Sequence, residues 1–286
     1  MTIQQRTEFL LNELQNAPKS QWHNVINKFI KTLKQFHTLA TVRNYLTTFR
    51  KSALDVYKND LDSMERISKH LVLDAKSQKE IETKQLKKTV EKHSNQIVLN
   101  NDSITKIINI AKNLVQSNSY LNVALGLMLL TGRRASEILK TGSFSPVENE
   151  NNTLEFVGQT KKGNDIDSDI FVIPCLTDAK ICIDYLAKLR TMTANKRGDK
   201  DFKFLPISAV NDTTSKDLGK NVKKHFGAFL GENCKVHNLR ACYAAISAHL
   251  YKPENTTQNL FFSNILGHSE TDLNTATSYM IYQIVN

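Results

Sequence analysis

The chain has 286 residues, 40% of them hydrophobic, enough for a sizeable core and long for one domain. A formal net charge of +10 and a pI near 9.3 point to a polyanionic partner, nucleic acid first, because Lys and Arg neutralise phosphates and release their counterions. Nothing reads as a signal peptide and the most apolar run, LNVALGLMLL, is too short to span a bilayer, so a cytoplasmic, non-membrane protein is expected.

The first part of the chain reads as helical and polar. TEFLLNELQNA carries apolar residues at helical spacing, as does WHNVINKFIKTLKQF through Trp22, Val25, Phe29 and Leu33. TLATVRNYLTTFRKSALDVY places Leu39, Val42, Leu46, Phe49, Ala53 and Val56 on one stripe, with threonines near its start as candidate caps. These stripes predict a small helical bundle over residues 1–75. Arg43, Arg50 and Lys51 fall toward the other face, as a DNA-facing or simply solvated surface. From Lys76 to Lys92 the run KSQKEIETKQLKKTVEK is lysine-rich and poor in apolar residues, an exposed helix or linker that puts a domain boundary at 76–95.

Beyond it, SITKIINIAKNLVQS reads as a helix, followed by an apolar helix from about Tyr120 that ends near TGRRASEIL. TLEFVG and IFVIP then read as a hairpin, with Lys161 and Lys162 at or near its turn. DAKICIDYLAKLRTM, KDLGKNVKKHFGAFL, HNLRACYAAISAHLY and terminal helices complete a domain over 96–286. The predicted architecture is mainly α with a small antiparallel β-sheet. Cys175, Cys182, Cys234 and Cys242 lack CxxC spacing and sit in apolar contexts, so they read as reduced core residues rather than zinc ligands.

Five positions carry candidate chemistry. Arg134 emerges from the end of an apolar helix, where a charge needs a partner such as a phosphate or carboxylate. Its i,i+3 spacing to Glu137 suits one helix face and also a plain surface ion pair; Arg133 is the alternative arginine. His237 and Arg240 stand at the start of an alanine-rich helix whose N-terminus favours anions. His268 follows Gly267 at an apolar helix end and by itself also reads as a cap or packing residue. Tyr279 and Tyr282 lie on a short final helix or turn, where either is equally a core tyrosine. Together, two guanidinium groups, two imidazoles and a phenol suit covalent transfer of a phosphodiester without a cofactor.

Arg134, a hairpin lysine, His237-x-x-Arg240, LGH with His268 and a late Tyr279, in that order, resemble the tyrosine recombinase superfamily of integrases and Xer-type recombinases over roughly residues 100–286. The wording of LMLLTGRRASEILK, LEFVGQTKKG, FVIP, RACYAAISAHLYKP, FFSNILGH and TATSY, with Tyr279 eleven residues after His268, is similar to the hairpin telomere resolvases, or protelomerases. The resemblance implies a core-binding domain ahead of a catalytic domain, no metal or nucleotide cofactor, and a homodimer on double-stranded DNA with an inverted-repeat site. It implies that Arg134 and Arg240 clamp the scissile phosphate, with His237 and His268 assisting in orientation and proton transfer. Tyr279 forms a 3′-phosphotyrosyl bond, and Lys161, or else Lys162, protonates the leaving 5′-oxygen. The expected context is bacterial, phage or plasmid-borne. The sequence runs seven residues past Tyr279, shorter than well-known resolvases, so no C-terminal segment is expected to swap between protomers. Conventional site-specific recombination and a non-catalytic DNA-binding protein of the same fold are the alternatives.

Overall fold

The computed structural model describes residues 1–160, 170–194, 201–267 and 276–285. The chain divides into two compact units, Met1–Val90 and Glu91–Asn286.

The first unit is a helical bundle of α1 (Ile3–Asn16), α2 (Trp22–Phe36), α3 (Leu39–Val56) and α4 (Leu61–His70), joined by the first part of α5 (Ala75–Ser94). Its helices start where short polar side chains satisfy first-turn N–H groups: Thr2 forms a capping box with Gln5, Thr38 accepts from Thr41 N and Asp60 from Ser63 N. The core holds Leu10, Leu14, Leu33, Val42, Leu46, Phe49, Ala53 and Ile67 around Trp22, whose Nε1 donates to Leu14 O at 2.8 Å. Two details depart from the predicted stripes. On α2 the buried residues are Trp22, Ile26, Ile30 and Leu33, with Val25 and Phe29 only packed against the edge. Val56 is exposed, because the buried stripe passes from Ala53 to Tyr57, whose ring packs on Trp22, and leaves Val56 on the outer side.

The second unit is built around α7 (Tyr120–Thr131), which is buried from Val123 to Thr131. Helices α6 (Asn101–Val115), α8 (Ala179–Ala194), α9 (Ile207–Leu230) and α10 (Val236–Tyr251) surround it, and α11 (Gln258–Leu266) packs on α10. A helix enclosed on all sides needs apolar residues on every face, hence the unbroken LNVALGLMLL run. It stops at Gly132, inside the TGRRASEIL stretch where the sequence ends it. Gly132 adopts φ +68°, and a Cβ there would sit 2.1 Å from the Tyr243 ring. Residues Glu137–Thr141 form a separate π-turn.

The expected hairpin is present as β3 (Glu150–Val157) paired antiparallel with β4 (Phe171–Pro174), and β2 (Ser143–Val147) adds a third strand in the order β2-β3-β4. A second ladder is not legible in the sequence: β1 (Ile97–Leu99) pairs in parallel with β5 (Tyr282–Ile284). Tyr279 thus lies in a turn, one of the two forms the sequence offers, and Tyr282 on a strand. All four cysteines are buried free thiols, and no helix among the described residues is long and apolar enough to cross a membrane.

Candidate active site

Arg134 lies in the connection between α7 and the π-turn, not on a helix face shared with Glu137. The Glu137 carboxylate reaches back to it twice, accepting from Arg134 N at 2.8 Å and from its guanidinium Nη1 at 2.7 Å. This is no surface pair, since the Glu137 side chain is 0% exposed and that of Arg134 17%. Burial alone would raise the Glu137 pKa, but Arg240, Arg133 and Arg134 outweigh it and hold the carboxyl at about 2. The same carboxylate accepts from Thr160 N at 3.2 Å and Thr160 Oγ1 at 3.3 Å. One buried charge therefore fixes both the arginine and the near base of the hairpin.

Arg240 lies one turn into α10, wholly buried at 1% exposure. Its Nη1 donates to Gly132 O, its Nη2 to Leu266 O, and its Nε to the Tyr279 hydroxyl at 3.4 Å. The guanidinium thus joins the segment before Arg134, the end of α11 and the tyrosine; burial, then the charge of Arg134, lowers its pKa. His237, exposed in the first turn of α10, sets its ring 4.9 Å from that of Tyr279. Tyr279 is 3% exposed, with its ring 5.7 Å from the Arg240 guanidinium carbon.

Tyr282 has a different setting. Its hydroxyl accepts from Asn238 Nδ2 at 3.0 Å and donates to Leu230 O at 3.4 Å, and burial raises its pKa. It anchors the chain end to α9 and α10, while Tyr279 stands beside Arg240 and His237.

Lys161, Lys162 and His268 lie outside the described residues. Their chain neighbours are described and linked: Thr160 is held by Glu137, and Gln159 Nε2 donates to Gly267 O at 2.5 Å. Gly267 closes α11 with φ +66°, where a Cβ would meet Gln159 Oε1 at 2.2 Å.

A model of the telomere resolvase ResT/TelK catalytic domain matches residues 96–282. The chain belongs to this family. Among curated relatives, telomere resolvase ResT of Borreliella burgdorferi is 22% identical over 161 residues, 56% of this chain and 34% of that protein. The protelomerase of Escherichia phage N15 is 29% identical over 176 residues, 57% of this chain and 27% of that protein. The matches thus span about a third or less of the curated relatives' length. A protelomerase TelA covalently complexed with substrate DNA superposes with TM-score 0.84 at 24% identity, covering 99% of this chain and 88% of that one. Protelomerase TelK complexed with substrate DNA gives 0.63 at 21%, covering 99% and 59%. The mainly helical fold with its small antiparallel sheet is the protelomerase fold.

Three features of this resolvase-family domain escape a reading of motifs. Arg133, which the sequence offers only as a substitute for Arg134, is fully buried: it donates to Thr131 O and Ile265 O, and its guanidinium stacks 4.7 Å from the Phe156 ring centre. Burial and the nearby Arg240 lower its pKa to about 9. Glu137 organises the site instead of solubilising a helix. Finally, the tyrosine segment is held by residues far upstream: Gln96 Nε2 donates to Met280 O at 2.9 Å, Ile97 N to Ile281 O at 3.0 Å, and a His93 ring nitrogen lies 3.0 Å from Thr277 O. The apolar IVL run just before Asn100 is the one signal of this in the sequence.

Proposed function

We propose that this protein cleaves and rejoins DNA through Tyr279 and converts an inverted-repeat site into covalently closed hairpin ends. The observation that carries the reading is the Tyr279 hydroxyl 3.4 Å from Arg240 Nε, with the His237 ring alongside, in a chain of the telomere resolvase family. In this reading, Tyr279 Oη attacks phosphorus, giving up its proton to His237 or His268 and forming a 3′-phosphotyrosyl bond as the bond from phosphorus to the 5′-oxygen breaks. The hairpin lysine, Lys161 or Lys162, supplies the proton that the departing 5′-oxygen takes. Arg134 and Arg240 donate to the non-bridging oxygens, where charge grows in the transition state. The 5′-hydroxyl of the opposite strand then attacks the phosphotyrosine, releasing Tyr279 and sealing a hairpin; the covalent bond conserves the energy, so no nucleotide cofactor enters.

Residues 1–75 would serve as the core-binding domain, 76–95 as a basic linker and 96–286 as the catalytic domain. A homodimer would supply two tyrosines to staggered cuts.

Incubation with DNA bearing the inverted repeat of its own replicon should give products that run as single strands of double length on a denaturing gel. Tyr279→Phe should bind DNA yet form neither adduct nor hairpin. Strand exchange between separate duplexes without snap-back products would replace this reading with conventional site-specific recombination. DNA binding with no adduct from the unaltered protein would leave a binding module.

A further inference from the structure

Beside the tyrosine lies a basic groove that the chemistry above does not use. Lys216, Lys220 and Lys223 stand on one face of α9, all exposed, with Gly219 among them. This face meets the start of α10 at Lys235 and His237, and the two helices enclose a space of about 500 Å³ with four lysines and no carboxylate in its lining. Asp217, on the same helix, is 3.8 Å from Lys220 Nζ with both side chains largely in solvent, so it neutralises little. His237 belongs to both places: it lines the groove, and its ring is 4.9 Å from that of Tyr279. The groove therefore reaches His237, the residue whose ring lies beside the proposed nucleophile.

Gly219 adds an independent sign. A glycine weakens a helix interior relative to alanine, and a Cβ at this position would meet nothing within 4 Å. Nothing inside the protein calls for a glycine there, whereas a partner's backbone pressed against the helix would. Gly227, further along α9, is equally open but is not part of the lining.

We propose that this groove holds the sugar–phosphate backbone of the DNA strand flanking the cleaved phosphate. Lys216, Lys220, Lys223 and Lys235 neutralise consecutive phosphates, and Gly219 marks the closest approach of backbone to helix. From Lys216 to Lys223 the helix rises roughly 10 Å, about three nucleotides of one strand. The proposal rests on the DNA-cleaving reading of the Tyr279 site and names the phosphates next to it.

The test compares the unaltered protein with the triple variant Lys216→Gln, Lys220→Gln, Lys223→Gln and with Gly219→Gln, using a fluorescein-labelled inverted-repeat duplex. The slope of log Kd against log salt should fall in magnitude by about 2 to 3 in the triple variant, close to one for each phosphate no longer neutralised. Gly219→Gln should lose about tenfold or more in affinity while its melting temperature stays the same or rises, because the helix gains a better former, and Gly227→Gln should keep its affinity. Uncharged methylphosphonates at the positions flanking the cut should weaken binding of the unaltered protein and not of the triple variant. An unchanged salt slope, or equal effects of the two glycine substitutions, overturns the groove. Adduct formation on a nicked duplex reports separately on the chemistry. An adduct with groove variants that bind normally sinks the groove alone, whereas no adduct with the slope change present sinks the cleavage reading and leaves the groove as a DNA-binding surface.

Discussion

At the residue scale, the arrangement turns on Glu137, a carboxylate shared among three guanidinium groups. Its folded pKa of about 2 lies below the ordinary 4.5, so the fold favours the ionised form. That contribution is fully present above about pH 4.5 and is lost as the pH falls toward 2. The difference corresponds to on the order of 3 kcal/mol. Urea unfolding followed by far-UV circular dichroism should show stability of the second unit dropping through this window, and Glu137→Gln should flatten that dependence while lowering stability at neutral pH. A variant with an unaltered acid profile would mean that the arginines, not the carboxylate, hold the turn. The two phosphate-clamp candidates should also separate. Arg134→Ala and Arg240→Ala should each slow cleavage by roughly two to three orders of magnitude, as expected on losing a preorganised donor. Arg240→Ala should in addition lower the melting temperature more, because the carbonyls of Gly132 and Leu266 lose their donor at about 1–3 kcal/mol each. Tyr282→Phe should cost stability through its contacts with Asn238 and Leu230 and keep the covalent adduct. Arg240, His237 and Tyr279 are legible from motif order alone. The organising role of Glu137 is not, since an i,i+3 Arg–Glu pair reads the same on a surface helix as in a buried turn.

At the element scale, what is legible depends on how local the pairing is. The β3–β4 hairpin joins neighbours in sequence, and its β-branched and aromatic runs reveal it. Helices with one buried face announce themselves by period, and α7 by its unbroken apolar run. The β1–β5 ladder joins opposite ends of the second unit through three residues each, too short to show a period, and parallel pairing leaves no turn signal between them. Yet this ladder, with Gln96 and His93, is what holds the tyrosine turn at Thr277, Met280 and Ile281. Ile97→Pro removes the N–H that donates to Ile281 O. Adduct formation on a nicked duplex should then fall by about tenfold or more, since small displacements of a reacting group are costly, while DNA affinity stays within about twofold. Equal losses of affinity and adduct would point to global damage, not misplacement of Tyr279.

At the scale of the whole molecule, two separate cores are joined along the chain by α5, which contributes Ile81 to the first. Trp22, Phe49 and Ile67 serve the first, Leu127, Phe156 and Phe226 the second, and α5 runs out of the first unit with residues 82–91 all exposed. A helix stretch without packing frays at little free-energy cost, so trypsin should cut the free protein first at Lys84, Lys87 or Lys88. Each fragment should keep its own thermal transition, with Trp22 fluorescence reporting on the first alone. The same lysines bear on how the proposed DNA substrate meets the connector, in a chain whose net charge of +10 favours phosphates. A connector that runs along phosphates would be shielded when DNA binds and released when salt displaces the contacts. Duplex DNA at low salt should therefore slow the cut several-fold, and raising the salt should restore the free rate. Unaltered cleavage with DNA demonstrably bound would place the connector away from the duplex and confine the electrostatic contact to the two units themselves.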